Sequence, residues 1–66
     1  MKNTVKVERA IKNLTQAQLA ELIGVSRQTI NTIESGRYVP SAVLALKISR
    51  IFEKPVNELF ELEETD

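Results

Sequence analysis

Apolar residues recur along this chain in short clusters at helical spacing, and each cluster is cut off by a residue that helices use to stop. Val5, Val7, Ala10 and Ile11, with Leu14, predict a first helix from about Thr4 to Lys12, ended by Asn13. Thr15 followed three residues later by Gln18 is a capping-box pair, so a second helix is expected to start at Gln16 and stop before Gly24, with Leu19, Leu22 and Ile23 as its apolar stripe. Ser26 can cap a third helix from Arg27 to about Ser35, with Ile30 and Ile33 on its inner side and Gly36 in the left-handed position that ends it. The segment Arg37-Tyr38-Val39-Pro40 is a loop, because the residue before a proline avoids helical angles. Ser41 caps a fourth helix bearing Leu44, Ala45, Ile48, Ile51 and Phe52; it is apolar on nearly all sides, as a central helix of a small domain should be. Pro55 suits the start of a short fifth helix carrying Val56, Leu59 and Phe60. From Phe60 the period changes to two, with Phe60 and Leu62 against Glu61 and Glu63, a strand signal only four residues long. With no internal repeat, low-complexity tract or linker, the expected architecture is one all-α domain of five helices over residues 1–66, with that terminal strand as its one non-helical signal.

The second and third helices meet at a single glycine, and Gly24 supplies the positive φ that a tight turn needs. Ala20, four residues earlier, is the small side chain that a close helix crossing requires. These features predict a helix-turn-helix. An αα-hairpin that only packs would need the same glycine and small residue, but not what lies on the other face of the third helix. Arg27, Gln28, Asn31, Thr32 and Ser35 form one continuous polar surface opposite the isoleucines. Guanidinium and carboxamide groups match the donor and acceptor patterns of guanine and adenine in the major groove, whereas a merely solvated face more often carries Glu and Lys.

Composition changes this picture at two points. A chain of 66 residues buries only about 60% of the surface its unfolded form exposes, so its core is marginal and oligomerisation is a natural supplement. There is no cysteine and no histidine, which excludes disulfides and thiolate or imidazole metal sites. Neither an apolar leader pattern nor a long apolar run is present; the longest, Ala42 to Leu46, is far short of the roughly 20 residues that span a bilayer. A soluble, cytoplasmic protein with no membrane contact is expected. Net charge is zero, which taken alone argues against nucleic acid. The distribution argues otherwise: residues 1–54 hold nine basic groups against four acids, for +5, and residues 55–66 hold five acids and no base, for −5. Such a polar molecule can turn its basic body to phosphates, with Lys2, Lys6, Arg27 and Arg37 as the candidates for that side. The plainer alternative is an acidic tail that only aids solubility.

From about Lys6 to Phe60 the sequence resembles the Cro and phage-repressor type of helix-turn-helix, the xenobiotic-response-element family of regulators. The resemblance is carried by Leu14-Thr15-Gln16-Ala17-Gln18-Leu19-Ala20, by the run Gly24-Val25-Ser26-Arg27-Gln28-Thr29-Ile30-Asn31-Thr32-Ile33-Glu34-Ser35-Gly36-Arg37, and by Pro40-Ser41 with Ala45-Leu46-Lys47-Ile48. It implies a DNA-phosphate contact by Gln16 through its side chain and its backbone N–H, and base contacts by Arg27, Gln28, Asn31 and Thr32 in the major groove of double-stranded DNA. It further implies backbone contacts by Arg37 and Tyr38, with shorter phosphate contacts from Ser26 and Thr29. The family pairs an arginine of its first helix with a glutamate at the end of its third, here Arg9 and Glu34; as residues alone each could be a solvated charge, but unpaired charges among apolar faces are costly, which favours the structural pair. Two positions depart from the pattern. Glu53 stands where many relatives have glycine, leaving the end of the fourth helix to be set by Pro55, and Val43 stands where many have an acid, adding apolar surface that often means a partner. Short members ending in Phe-x-Leu-acid resemble homodimers built from the fifth helix and a strand paired between subunits, which makes residues 55–64 the expected dimerisation segment, through Val56, Leu59, Phe60 and Leu62. Packing of Phe60 and Leu62 within one chain is the alternative.

The expected function is therefore a sequence-specific DNA-binding transcriptional regulator, a repressor in its simplest action, that binds a two-fold related operator as a homodimer. An antitoxin-like autoregulator that also binds a toxin protein is one alternative, for which only Glu63 to Asp66 could serve as a partner-binding extension; a pure protein-interaction module is another. No enzymatic activity, cofactor or small-molecule ligand is expected, because the chain has no histidine, cysteine or glycine-rich phosphate loop and is too small to enclose a pocket.

Overall fold

The computed structural model describes residues 1–66, and four of its five helices end in the same way. The elements run β1 (Lys2–Asn3), α1 (Val5–Ile11), α2 (Gln16–Ile23), α3 (Arg27–Glu34), α4 (Ala42–Phe52), α5 (Val56–Leu59) and β2 (Phe60–Glu61). After each of α1 to α4 one residue turns left-handed: Asn13, Gly24, Gly36 and Glu53. The next N–H then reaches back five residues to a helical carbonyl, from Leu14 to Arg9, Val25 to Ala20, Arg37 to Thr32 and Lys54 to Ser49, at 2.9–3.2 Å. This closure satisfies carbonyls that the last turn would leave without donors. At Gly24 and Gly36 the positive φ is free of side-chain strain; at Asn13 and Glu53 it is not. Glu53 thus corrects one expectation. The end of α4 is set by Glu53 itself, at φ 54°, and Pro55 follows as the residue before α5.

The N-termini are closed by side chains. Thr15 and Gln18 form the reciprocal capping box of α2, while Ser26 and Ser41 accept from the N–H groups of Thr29 and Leu44.

One core joins all five helices: Val5, Leu19, Ala20, Ile23, Ile30, Ile33, Ile48, Phe52, Leu59 and Phe60. Ala20 is the small residue where α2 meets α3. Three apolar residues expected on inward stripes, Val7 and Ile11 of α1 and Leu22 of α2, are exposed instead. Val43 and Leu46 of α4 also face outward, as surface surplus to the core, so α4 is apolar on most sides yet buries only Ile48 and Phe52 fully. The physical reason is size: a single layer of short helices covers one face of each, and a second apolar stripe has nothing left to pack on. In α1 the inward face is Val5 and Glu8, not Val7 and Ile11.

The C-terminal strand also departs from expectation. β2 pairs antiparallel with β1 of its own chain, Lys2 opposite Glu61 and Asn3 opposite Phe60, so the ribbon is internal. Leu59 is 1% exposed and Phe60 lies in the same core, which removes both from any intermolecular surface. One turn of α5 cannot close the open end of the core unless these two residues fill it. Lys2, one of the candidate phosphate-facing cations, lies exposed on this ribbon across from Glu61.

Candidate nucleic-acid interface

The two N-termini of α2 and α3 open on the same side of the molecule, and between them lies a hollow of about 530 Å³ lined by Gln16, Ser26, Arg27, Gln28 and Asn31. No apolar side chain lines it. A second open hollow continues past Arg9, Leu14 and Thr15, and it shares Gln16 and Arg27 with the first. The polar face read from the sequence is therefore continuous with the start of α2, where the first N–H groups of the helix have no helical acceptor.

Arg27, Gln28 and Asn31 are exposed, and the side chains of Arg27 and Gln28 make no hydrogen bond or ion pair within the chain. They are free donors and acceptors. Thr32 and Ser35 differ. The Thr32 hydroxyl donates to the carbonyls of Gln28 and Thr29, at 3.1 and 2.9 Å, and the Ser35 hydroxyl donates to the carbonyl of Thr32 at 2.9 Å. Both protons are turned back onto the helix, so Thr32 offers a lone pair and a methyl group outward rather than a donor. Ser26 accepts from the Thr29 N–H, and the two hydroxyls share one hydrogen bond at 2.9 Å. That bond uses one of the two hydroxyl protons and leaves the other for an anion. Arg37 and Tyr38, exposed in the loop after Gly36, stand at the opposite end of α3.

Behind this face lies an ion pair. Arg9 Nε donates to Glu34 Oε2 at 2.7 Å and a second guanidinium nitrogen donates to Oε1 at 3.2 Å, a bidentate geometry with side chains 16% and 5% exposed. A third nitrogen donates to the Leu14 carbonyl at 2.8 Å. The bond to Glu34 holds the Arg9 pKa above its ordinary value. The pair ties α1 and the turn before α2 to the end of α3. From the other side, Gln16 donates to Glu34 Oε1 at 3.1 Å and to Asn31 Oδ1 at 3.5 Å.

Three further links hold the frame, and none was visible as a motif. Asn3 accepts from the Val5 N–H at 3.2 Å and donates to the Ile33 carbonyl at 2.8 Å, so the ribbon caps the end of α3. Lys47 donates to the last carbonyl of α2, Ile23, at 3.5 Å, a cation at the negative end of a helix. Glu8, buried in α1, accepts from Lys54 at 2.8 Å, which raises the Lys54 pKa. The only sign of these in the sequence is their polar type.

Arg27 stands at the start of α3, and at its end Glu63 lies with Met1, Lys2 and Glu34 beside Ser35 and Gly36, with the N-terminal ammonium 3.1 Å from the Glu63 carboxylate. Six cations make no salt bridge: Lys2, Lys6, Arg27, Arg37, Lys47 and Arg50. No helix is long and apolar enough to cross a membrane.

Comparison with known proteins points the same way. The profile of the helix-turn-helix family matches residues 5–59. The chain is 48% identical to an HTH-type transcriptional regulator of Methanocaldococcus jannaschii over the full length of both, and 50% identical to the HTH-type transcriptional regulator YgzD of Bacillus subtilis over 97% of both. Its fold is similar to the crystal structure of the restriction-modification controller protein C.AhdI from Aeromonas hydrophila, with a TM-score of 0.76 and 32% identity over 85% of each chain.

Proposed function

This chain belongs to the Cro and phage-repressor type of helix-turn-helix transcriptional regulators, and from that premise we propose that it is a repressor that covers promoter DNA as a homodimer on a two-fold related operator. The observation that carries this reading is the exposed, internally uncommitted pair Arg27 and Gln28 at the start of α3, next to Asn31 and the free N–H groups of α2. Helix-end amides position phosphates, and the guanidinium and carboxamide groups match purine edges in the adjoining groove.

One recognition helix spans too few base pairs for useful selectivity, and two on a symmetric dimer read half-sites about 34 Å apart, one turn of DNA. Leu62, 77% exposed, and half-buried Val56 remain for such a contact after Leu59 and Phe60 are assigned to the core. Repression is the simplest action of a bare DNA-binding domain, because occupancy alone blocks a promoter. Transcription in vitro from a promoter that overlaps the bound site should fall as protein is added. A rise in transcript instead would identify an activator.

A further inference from the structure

The polar face of α3 changes character along its length. Arg27 and Gln28 at its start hold uncommitted donors and acceptors, whereas the hydroxyls of Thr32 and Ser35 near its end are spent on the helix itself. The single hydroxyl proton of Thr32 is shared between the carbonyls of Gln28 and Thr29, at 3.1 and 2.9 Å, and Ser35 donates to the Thr32 carbonyl at 2.9 Å. A β-branched side chain is stiff at χ1, and this one is also half-buried. With Oγ1 pinned against two carbonyl oxygens, tetrahedral geometry at Cβ turns the γ-methyl group away from them. Thr32 therefore meets a partner with carbon.

That limits which base contact Thr32 can make. N7 of the purines, O6 of guanine and O4 of thymine are acceptors, and Thr32 has no proton left for them. The base-edge group that asks for no hydrogen bond is the methyl group on C5 of thymine, which stands in the major groove where cytosine has only a hydrogen. We infer that Thr32 is the specificity-determining residue for a pyrimidine C5-methyl group, which it meets through its own γ-methyl. The inference rests on the reading by α3 proposed above and adds the chemical class of group that the end of this helix recognises. Uracil and cytosine lack that group. 5-Methylcytosine carries it, so at this position the protein distinguishes methylated from unmethylated cytosine as well as thymine from uracil.

The test is equilibrium binding of wild type, Thr32→Val and Thr32→Ser to the duplex selected by the wild-type protein, to copies in which each thymine in turn is deoxyuridine, and to a random duplex. Valine keeps the γ-methyl and replaces the hydroxyl; serine keeps the hydroxyl and lacks the methyl. Wild type should lose about four-fold in affinity when one particular thymine of a half-site becomes uracil, the worth of one buried methyl group. Thr32→Val should show the same loss at the same thymine. Thr32→Ser should show none there, and should already bind the unmodified site about four-fold more weakly than wild type. With cytosine in place of that thymine, adding the 5-methyl group should recover about four-fold for wild type and Thr32→Val, and nothing for Thr32→Ser. The random duplex should bind all three alike, and unchanged circular dichroism confirms their folds. A wild type indifferent to uracil at every thymine, a penalty that survives in Thr32→Ser, or a selected site kept by Thr32→Ser and lost by Thr32→Val would overturn the inference and leave the reading by α3 intact. A wild-type protein that binds all duplexes alike would remove that reading and this inference with it.

Discussion

Arg9 and Glu34, twenty-five residues apart, meet in a bidentate ion pair with a shortest contact of 2.7 Å, and through it α1 fixes the end of α3, the proposed recognition helix. Each partner leaves a charge in a largely dry site if the other is removed. Arg9→Met or Glu34→Leu alone should therefore cost about 3–5 kcal/mol, and the double variant should recover a substantial part of the sum. Urea denaturation of the four proteins measures this. Additive losses would mean that the pair does not couple the two helices.

Glu53 is the residue whose replacement should strengthen the fold. It holds φ at 54° to end α4, a conformation that strains a side chain with a Cβ, and its ion pair with Lys12 spans 4.0 Å at an exposed site. Glu53→Gly should raise stability by about 0.5–1 kcal/mol, the relieved strain less the added freedom of the unfolded chain. A lowered thermal midpoint would show that the Glu53 side chain contributes more than its geometry indicates.

Gln28 and Arg37 should fail in different ways. Gln28 is exposed near the start of α3 and uncommitted, so Gln28→Ala should lose about 1–3 kcal/mol on the selected site and relax choice at one base pair. Arg37 lies exposed past the end of α3 and makes no ion pair; it is a phosphate contact in the proposed complex, so Arg37→Ala should weaken all sequences alike and lower the salt slope by about one unit. Binding isotherms across a salt series, on selected and random duplexes, separate the two behaviours. A sequence-selective loss in Arg37→Ala would move it among the base readers.

The proposed dimer can be tested without disturbing the core. Leu62 is exposed, and the ribbon pairing ends at Glu61, so Leu62→Asp or truncation after Glu61 leaves Leu59, Phe60 and the ribbon in place. Sedimentation at micromolar concentration should show a dimer for the wild type and monomers for both variants, with much weaker operator binding. A truncated protein that still dimerises would locate the interface elsewhere, for which the exposed Val43 and Leu46 of α4 are the next surface to alter.

Helix boundaries were legible because their signals are local. Thr15 with Gln18, Ser26, Ser41, Gly24 and Gly36 act within four residues of themselves, and each does in the fold what its position implies. The inward face of each helix was less legible. The first helix carries two apolar sets, Val5 on one side and Val7 with Ile11 on the other, and only the tertiary arrangement decides between them. The same holds for Leu22, Val43 and Leu46. Phe60 gave a correct strand signal but no sign of its partner, because two residues of β1 are too short to show a period. At the site, the polar face of α3 follows from helical spacing. The bonds from Gln16 to Glu34 and Asn31 span 18 and 15 residues and come from the crossing of α2 and α3, which no local pattern encodes.

Selection of bound duplexes from a random DNA library probes sequence reading and two-fold symmetry in a single measurement. The expected result is one enriched motif of two inverted half-sites, with centres about 10 base pairs apart, and a preference in each half-site that Gln28→Ala relaxes at a single position. Enrichment of no motif, or of an unrepeated single half-site, would contradict it.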